Sequence, residues 1–368
     1  MMAQIEIKAA LLAQAAACRQ AGELAQARQL LEQGVAAWPN DSDLLHHLAF
    51  ACEQAGALEL AERRYREALG CAPDAPATAR LLATLLLSQG RYAEGFALFE
   101  ARHEMDAYAK PKLPFAEWMG GPVAGRSLLI WPEQGFGDQI QFARFASVLK
   151  AMGADVTLVC WPPLERLFAE SLGVRVIAAR GEISFPDPDG WVMACSLAGR
   201  LGIAVETIPA APYLRRAPGA WPKPLPVGFK VGLMVAGNRA NPNDGNRSLP
   251  PEAAAALRAL PAQIVDLDPA ATGAADFADT AAIIDQLDLV ISVDTAVAHL
   301  AGALGKPCWV LLPAQGLDWR WMRERPDTPW YPTMRLYRQS RPGDWTPVLE
   351  KIEADLQRLM AGADRPGR

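Results

Sequence analysis

Asp294, Thr295 and His299 lie where a short apolar run gives way to an Ala- and Leu-rich one, and their types and spacing suit anion binding. Residues 288–293 read as a buried strand because they are mostly apolar and β-branched. Asp294 and Thr295 are residue types that start a helix, and 296–304 continues it until Gly305 and Pro307 stop it. A strand, tight turn and helix in a parallel sheet bring the first free N–H groups to the carboxyl edge, where the helix dipole attracts an anion such as phosphate. Thr295 adds a hydroxyl, and His299, four residues on, lies on the same helix face, so both can reach one ligand. Taken singly they are a helix cap and a core histidine; together, at the end of a buried strand, they favour a ligand.

A second constellation occupies the loop after the strand 127–131: Glu133, Gln134, Gly135, Gly137, Asp138 and Gln139, with a helix expected over 139–152. Its glycines suggest a dinucleotide fingerprint, but Ile140 stands where the third glycine belongs. Cys160 and Trp161 end the next strand where a ribose-binding acid is needed, so that reading fails. The glycines instead let backbone approach a ligand and set Asp138 at the top of a sheet, facing a cleft. A carboxylate there repels phosphate and suits a general base; the plainer alternative is a helix N-cap. A third group lies in the polar loop 236–248, which holds Asn238, Arg247 and Ser248. Loops this long in compact domains tend to be functional, and Arg247, just ahead of a helix opening at Pro250 and Pro251, can neutralise phosphate; otherwise it is a solvated surface arginine.

Positioning these groups requires two α/β halves. Strands are expected at 127–131, 155–160, 174–178 and 191–195 in the first, and at 230–235, 263–267, 288–293 and 308–312 in the second, joined by a Pro-rich crossing at 217–226. Aromatics and arginines at 318–321 and 330–332 read as packing against the end of the sheet, with stacking on a base or sugar as the alternative, and 346–360 as an amphipathic helix before a frayed tail. Ahead of these, Gly22, Gly56 and Gly90 recur every 34 residues, followed by Ala27, Ala61 and Gly95, then by Leu31, Tyr65 and Phe99. Pro39 and Pro73 close the first two units. This is the tetratricopeptide pattern: about three helical hairpins stacked into an arm with a concave surface. The expected organisation is an arm at 1–107, an ordered connector at 108–126, a first Rossmann-like half at 127–226, a second at 227–345, and a C-terminal helix and tail at 346–368.

Composition agrees with a soluble globular chain of 368 residues, 51% hydrophobic and 21% charged. A net charge of -5 argues against a nucleic-acid surface, and no stretch reads as a membrane span or secretory signal. Six scattered cysteines without C-x-x-C spacing read as buried thiols of a cytosolic protein, and four histidines without an H-E-x-x-H give no zinc site.

Residues 133–138 and the Asp294, Thr295, His299 signature resemble the two motifs of the heptosyltransferase-like glycosyltransferases of family 9, which have the GT-B fold. Tetratricopeptide repeats ahead of such a domain resemble bacterial protein glycosyltransferases that modify flagellin or other cytosolic acceptors. The resemblance implies an α plus α/β protein: a repeat array followed by a compact GT-B-like pair of Rossmann-like domains, short for that fold and lacking a strand-helix element after Leu267. It implies transfer from a nucleotide-sugar donor to an acceptor hydroxyl, with a protein acceptor on the concave surface of the repeats. Asp294, Thr295, His299, Ser248 and Asn238 would hold the donor, Arg247 would balance its diphosphate, Asp138 would be the base of an inverting displacement, and no metal or other cofactor would be needed. The D-x-D triplets Asp41/Asp43, Asp187/Asp189 and Asp266/Asp268 leave a metal-dependent GT-A enzyme as a minor alternative. A non-catalytic adaptor, or a nucleotide-sugar epimerase or hydrolase, are readings of other classes.

Overall fold

A computed structural model describes residues 2–216, 221, 223–225 and 227–362. Most of the Pro-rich crossing and the tail beyond 362 thus lie outside the described residues. The chain divides into two compact units, Met1–Lys110 and Pro111–Arg368.

The first unit is three helical hairpins: α1 (Met2–Gln20) with α2 (Leu24–Ala37), α3 (Ser42–Gln54) with α4 (Leu58–Cys71), and α5 (Pro76–Ser88) with α6 (Tyr92–Phe99). Each hairpin turns on the repeating glycine, with φ of 80° at Gly22, 78° at Gly56 and 79° at Gly90, a left-handed conformation that costs a side-chain-bearing residue energy. The small residue five positions on explains itself by packing. Ala27 and Ala61 are fully buried, and a Cβ on Gly95 would sit 2.7 Å from Leu87 Cγ. Leu31, Leu44, Leu48, Tyr65, Leu82 and Leu86 form the core between hairpins. One expectation is corrected here: Cys71, at the end of α4 where the buried face has run out, is exposed, while the other five cysteines are buried.

In the second unit the stretch after Pro111 is held to the first sheet, with Trp118 N–H donating to the Trp191 carbonyl at 2.7 Å and Trp191 N–H to that of Ala116 at 3.0 Å. The chain then runs β1 (Ser127–Trp131), α7 (Phe136–Ala151), β2 (Asp155–Cys160), α8 (Glu165–Leu172), β3 (Arg175–Ala178), β4 (Gly190–Met193) and α9 (Leu197–Arg200). It continues through β5 (Lys230–Met234), α10 (Asp244–Arg247), α11 (Pro251–Arg258), β6 (Gln263–Asp266), α12 (Pro269–Thr272) and α13 (Phe277–Asp285). The last elements are β7 (Leu289–Val293), α14 (Ala296–Ala303), β8 (Cys308–Leu312), β9 (Met334–Arg338) and α15 (Thr346–Met360). Two sheets result, ordered β3-β2-β1-β4 and β6-β5-β7-β8-β9, and every pairing in them is parallel. One face of the second sheet, with Val231, Leu233, Leu289, Ile291 and Leu311, packs on Ala253 and Leu257 of α11 and Val348, Ile352 and Leu356 of α15. α15 is therefore part of this layer rather than an appendage. Because the strands are parallel, the loops leaving β1, β5, β7 and β8 emerge at carboxyl edges, where α/β proteins place ligands.

Candidate active site

α7 starts at Phe136, three residues before the expected position, because Gly135 serves as its N-cap. Asp138 therefore lies within the first turn, with Oδ2 accepting the Gly135 N–H at 2.9 Å, the one half of a capping box that a glycine N-cap permits. Its Oδ1 meets the Arg320 guanidinium. Arg320 is buried, and its Nη1 also grips Asp318, at 3.0 and 2.8 Å from Oδ1 and Oδ2. Burial raises the Asp138 carboxyl above its usual value against the pull of Arg320, with Asp318 adding to the rise. Burial works against the Arg320 charge, but the two aspartates outweigh it and raise that group. The close approach that Gly137 permits is to protein: a Cβ there would lie 2.7 Å from His299 Cδ2 and 3.6 Å from the Ala296 Cα. The first turns of α7 and α14, each leaving the carboxyl end of a strand in a different sheet, are thus in contact.

At the second of these turns, Thr295 is the N-cap of α14 but makes no side-chain capping bond; its hydroxyl lies 3.1 Å from that of Ser292. The first N–H groups of α14 are left without a side-chain acceptor. Burial, then the Asp318 carboxylate, push the Asp294 carboxyl up to about 7. His299 is buried, stacked on Trp321 at 5.1 Å, and its Nδ1 is bonded to the Tyr331 hydroxyl at 2.9 Å. Its Nε2 lies 4.0 Å from Asp294 Oδ1. Burial, with Arg320 and Arg144 nearby, holds His299 well below its usual value, so the ring is neutral.

Arg247 comes to the same turn from the loop after β5. Its Nη1 donates to the Asp294 carbonyl at 2.8 Å and its Nε to Asp244 Oδ1 at 3.2 Å. Ser248 Oγ donates to Asp244 at 2.9 Å and accepts the Gly237 N–H at 2.8 Å, fastening the ends of the loop. Asn243 Nδ2 reaches the Gly316 carbonyl at 2.7 Å and ties this loop to the one after β8. Asn238 is exposed and its Oδ1 accepts the Ala240 N–H at 3.0 Å, a local turn that does not bring it to Asp294.

The remaining loop residues hold the first sheet's edge together. Glu133 is buried and accepts the Cys195 N–H at 2.7 Å, beyond β4. Gln139 accepts the Trp161 N–H at 2.9 Å, beyond β2, and the Gln134 carbonyl, from a backbone at φ 59°, accepts the Trp161 indole at 3.2 Å. Sequence reasoning did not single out Asp318, Arg320 or Tyr331, setting their segments against the end of the sheet with stacking on a base or sugar as the alternative. The available signal was an arginine between two tryptophans just past a strand's carboxyl end. The D-x-D triplets have structural partners: Asp41 caps α3 and binds Lys8 at 2.7 Å. Asp189 takes the Ser127 N–H at 2.7 Å, Asp266 pairs with Arg258 at 3.0 Å, and Asp268 caps α12.

Fold and site together define a helical-repeat array followed by a two-sheet α/β unit, in which the Asp138 carboxylate and the start of α14, whose N-cap makes no side-chain bond, are brought together at the carboxyl edges of its sheets. Comparison with known proteins gives this class its particulars. Residues 19–85 match the tetratricopeptide repeat model and residues 250–311 that of glycosyltransferase family 9 (heptosyltransferase). Two separate segments of the chain thus match, in chain order, a tetratricopeptide repeat model and a glycosyltransferase family 9 model. It is 26% identical to Protein FlbA of Caulobacter vibrioides over 400 aligned residues, spanning 92% of this chain and 65% of that relative, less than two thirds of its length. Among solved structures it is similar to a glycosyl transferase family 9 protein from Veillonella parvula, at 10% identity and TM-score 0.47 over 67% of this chain and all of the other. It is also similar to the glycosyltransferase TibC of enterotoxigenic E. coli, at 14% identity and TM-score 0.38 over 61% of this chain and 66% of that one.

Proposed function

We propose that the chain is a cytoplasmic, inverting, metal-independent glycosyltransferase that moves a sugar from a nucleotide-sugar to a hydroxyl of a protein held by the repeats. The observation that supports this reading is the contact between the first turns of α7 and α14, which sets Asp138 beside the turn at Asp294 and Thr295. Six cysteines without a disulfide suit a reducing compartment.

In this reading the donor diphosphate lies at the start of α14, neutralised by Arg247 and the free N–H groups. Asp138 takes the proton of the acceptor hydroxyl as its oxygen bonds to the anomeric carbon from the face opposite the diphosphate. The bond from that carbon to the diphosphate oxygen breaks, and the nucleoside diphosphate leaves with the electron pair. Arg320 aims Asp138 and opposes the rise that burial imposes on its carboxyl, while Asp318 keeps Arg320 in place.

Asp138→Asn should lower the transfer rate by about 10²–10⁴-fold, the usual contribution of a general base, and change donor affinity by less than twofold. Arg247→Ala should weaken donor binding by about 1.5–3 kcal/mol, measured by calorimetry across a panel of nucleotide-sugars. Equal loss of donor affinity in both variants would remove Asp138 from the role of base; unchanged affinity in Arg247→Ala would remove Arg247 from the donor site.

A further inference from the structure

Met322, just past the turn that delivers Arg320 to the site, has φ 51° and ψ 175°, a backbone conformation that a residue with a side chain rarely keeps. Three residues other than glycine have positive φ among the described residues, and two of them stand beside the Asp138–Arg320 pair: Gln134, four residues before Asp138, and Met322, two after Arg320. Such strain persists only where neighbours over-determine it. For Gln134 the neighbour is Trp161, whose indole N–H reaches the Gln134 carbonyl at 3.2 Å. For Met322 it is Arg338, at the carboxyl end of β9. Arg338 Nη2 donates to the Trp321 carbonyl at 2.6 Å and to that of Met322 at 2.8 Å, while Nη1 donates to the Arg325 carbonyl at 2.6 Å.

The Arg338 guanidinium serves backbone alone. Among the described residues no carboxylate pairs with it; Asp327, which acts on it from farther off, is forked by Arg325 at 2.6 and 2.9 Å. Burial brings the Arg338 group down to about 10, so it stays charged at neutral pH. Its planar fork fixes both nitrogens at once and can hold the two ends of the turn together, which a lysine cannot. That turn carries the junction of the site. Arg320 meets Asp138 of α7, and Trp321, fully buried, stacks on His299 of α14 at 5.1 Å. Asp318 grips the Arg320 side chain and the Thr328 hydroxyl its carbonyl at 3.3 Å, but the carbonyls of Trp321 and Met322 rest on Arg338.

We propose that Arg338 is a positioning residue for Asp138: it clamps the strained Trp321–Met322 turn and so keeps Arg320 aimed at the carboxylate. Its consequence for turnover rests on the reading of Asp138 as the general base; the clamp itself does not. Arg320 and Asp318 from the loop after β8 and Glu133 from the loop after β1 act on the Asp138 carboxyl, with Asp294 and the neutral His299 across Gly137 at the start of α14. Arg320 is the one cation among these, so losing its aim should raise the pH at which Asp138 titrates.

The test is an NMR titration of the full chain labelled at its aspartate carboxyl carbons, with the Asp138 signal assigned by its loss in Asp138→Asn. Hydrolysis of a panel of nucleotide-sugars is measured beside it. Arg338→Lys keeps the charge and loses the fork. It should raise the Asp138 midpoint by at least a quarter of the rise seen in Arg320→Gln, and should add nothing when the two changes are combined. Met322→Gly, placed in the Arg338→Lys chain, should bring the midpoint at least halfway back to wild type, because glycine takes positive φ without steric cost. That double variant also tests the clamp if Arg338→Lys alone does not fold. Arg335→Gln, which removes the pair with Asp355 from the same strand instead, should leave the midpoint unmoved. In hydrolysis, kcat of Arg338→Lys should fall by about tenfold to a hundredfold, with donor KM within about twofold of wild type. An unmoved midpoint in Arg338→Lys, a shift that adds to that of Arg320→Gln, an equal shift in Arg335→Gln, or no return with Met322→Gly overturns the proposal. Coupled midpoint shifts without turnover of any nucleotide-sugar, or with kcat unchanged, would instead overturn the reading of Asp138 as base and leave the clamp standing.

Discussion

Asp294 sits where charge is hardest to keep, buried beside Asp318 at the turn proposed to receive a diphosphate. Its carboxyl titrates near 7, so below that pH the turn presents a neutral acid and the helix start is unopposed. Above it, an added negative charge repels the donor. Donor affinity should therefore fall as pH rises through about 7, by at most about tenfold per pH unit for one proton. The probe should be an intact nucleotide-sugar, whose diphosphate diester does not itself titrate there, and the slope should vanish in Asp294→Asn. A flat profile in the wild type would show that Asp294 does not face the donor. Asp294, Thr295 and Arg247 were legible in the sequence because a strand, a turn and a polar loop are local patterns. Arg320 was not, because its meaning is a contact with Asp138, 182 residues away, that only the packing of the two sheets creates. His299 was legible as a residue of interest but not in its setting, since Trp321 and Tyr331 enclose it from a later loop.

The elements differ in how openly the sequence declares them. The repeats are legible because one physical demand recurs: a left-handed turn at Gly22, Gly56 and Gly90, then a small residue where helices touch. Gly56 isolates the first demand, since a Cβ there would meet nothing within 4 Å and only the backbone conformation resists it. Gly56→Ala should cost about 1–2 kcal/mol. Amide exchange in peptides of α3 and α4 should then quicken roughly fivefold to thirtyfold, while β5 and β7 keep their rates. Unchanged exchange in α3 and α4 would mean that the turn does not need its left-handed residue. At the other extreme β9 escaped the sequence reading. Pro332 precedes it, and Arg335 and Arg338 interrupt its apolar residues. Their partners are tertiary: Arg335 pairs with Asp355 of α15 at 2.8 Å, and Arg338 donates to the Trp321 carbonyl at 2.6 Å and to that of Met322 at 2.8 Å. The strand is stabilised by neighbours distant in sequence, so its own pattern understates it. α7 shows a smaller version of the same limit, because glycine at its N-cap moved the start back and drew Asp138 into the first turn.

The molecule as a whole is built of two compact units, Met1–Lys110 and Pro111–Arg368, and the proposed roles divide between them. Every residue assigned to donor chemistry lies in the second, and the tetratricopeptide match at 19–85 lies in the first. Within the second unit the halves are held together by more than the contact of α7 with α14. Arg144 of α7 donates to the Trp330 carbonyl at 2.9 Å, and Arg166 of α8 forks onto Asp276 at 2.9 and 2.6 Å. This unit should therefore keep its donor site when the repeats are removed. Deleting residues 1–110 should leave nucleotide-sugar affinity within about twofold and preserve slow transfer to water, while transfer to the protein acceptor falls by about the 10²–10⁴-fold typical of lost avidity. Measuring both activities on one preparation separates the roles. Loss of donor binding would mean the repeats help to build the donor site. Undiminished transfer to the acceptor would mean that the second unit recognises it unaided, and the repeats would then need another partner to explain them.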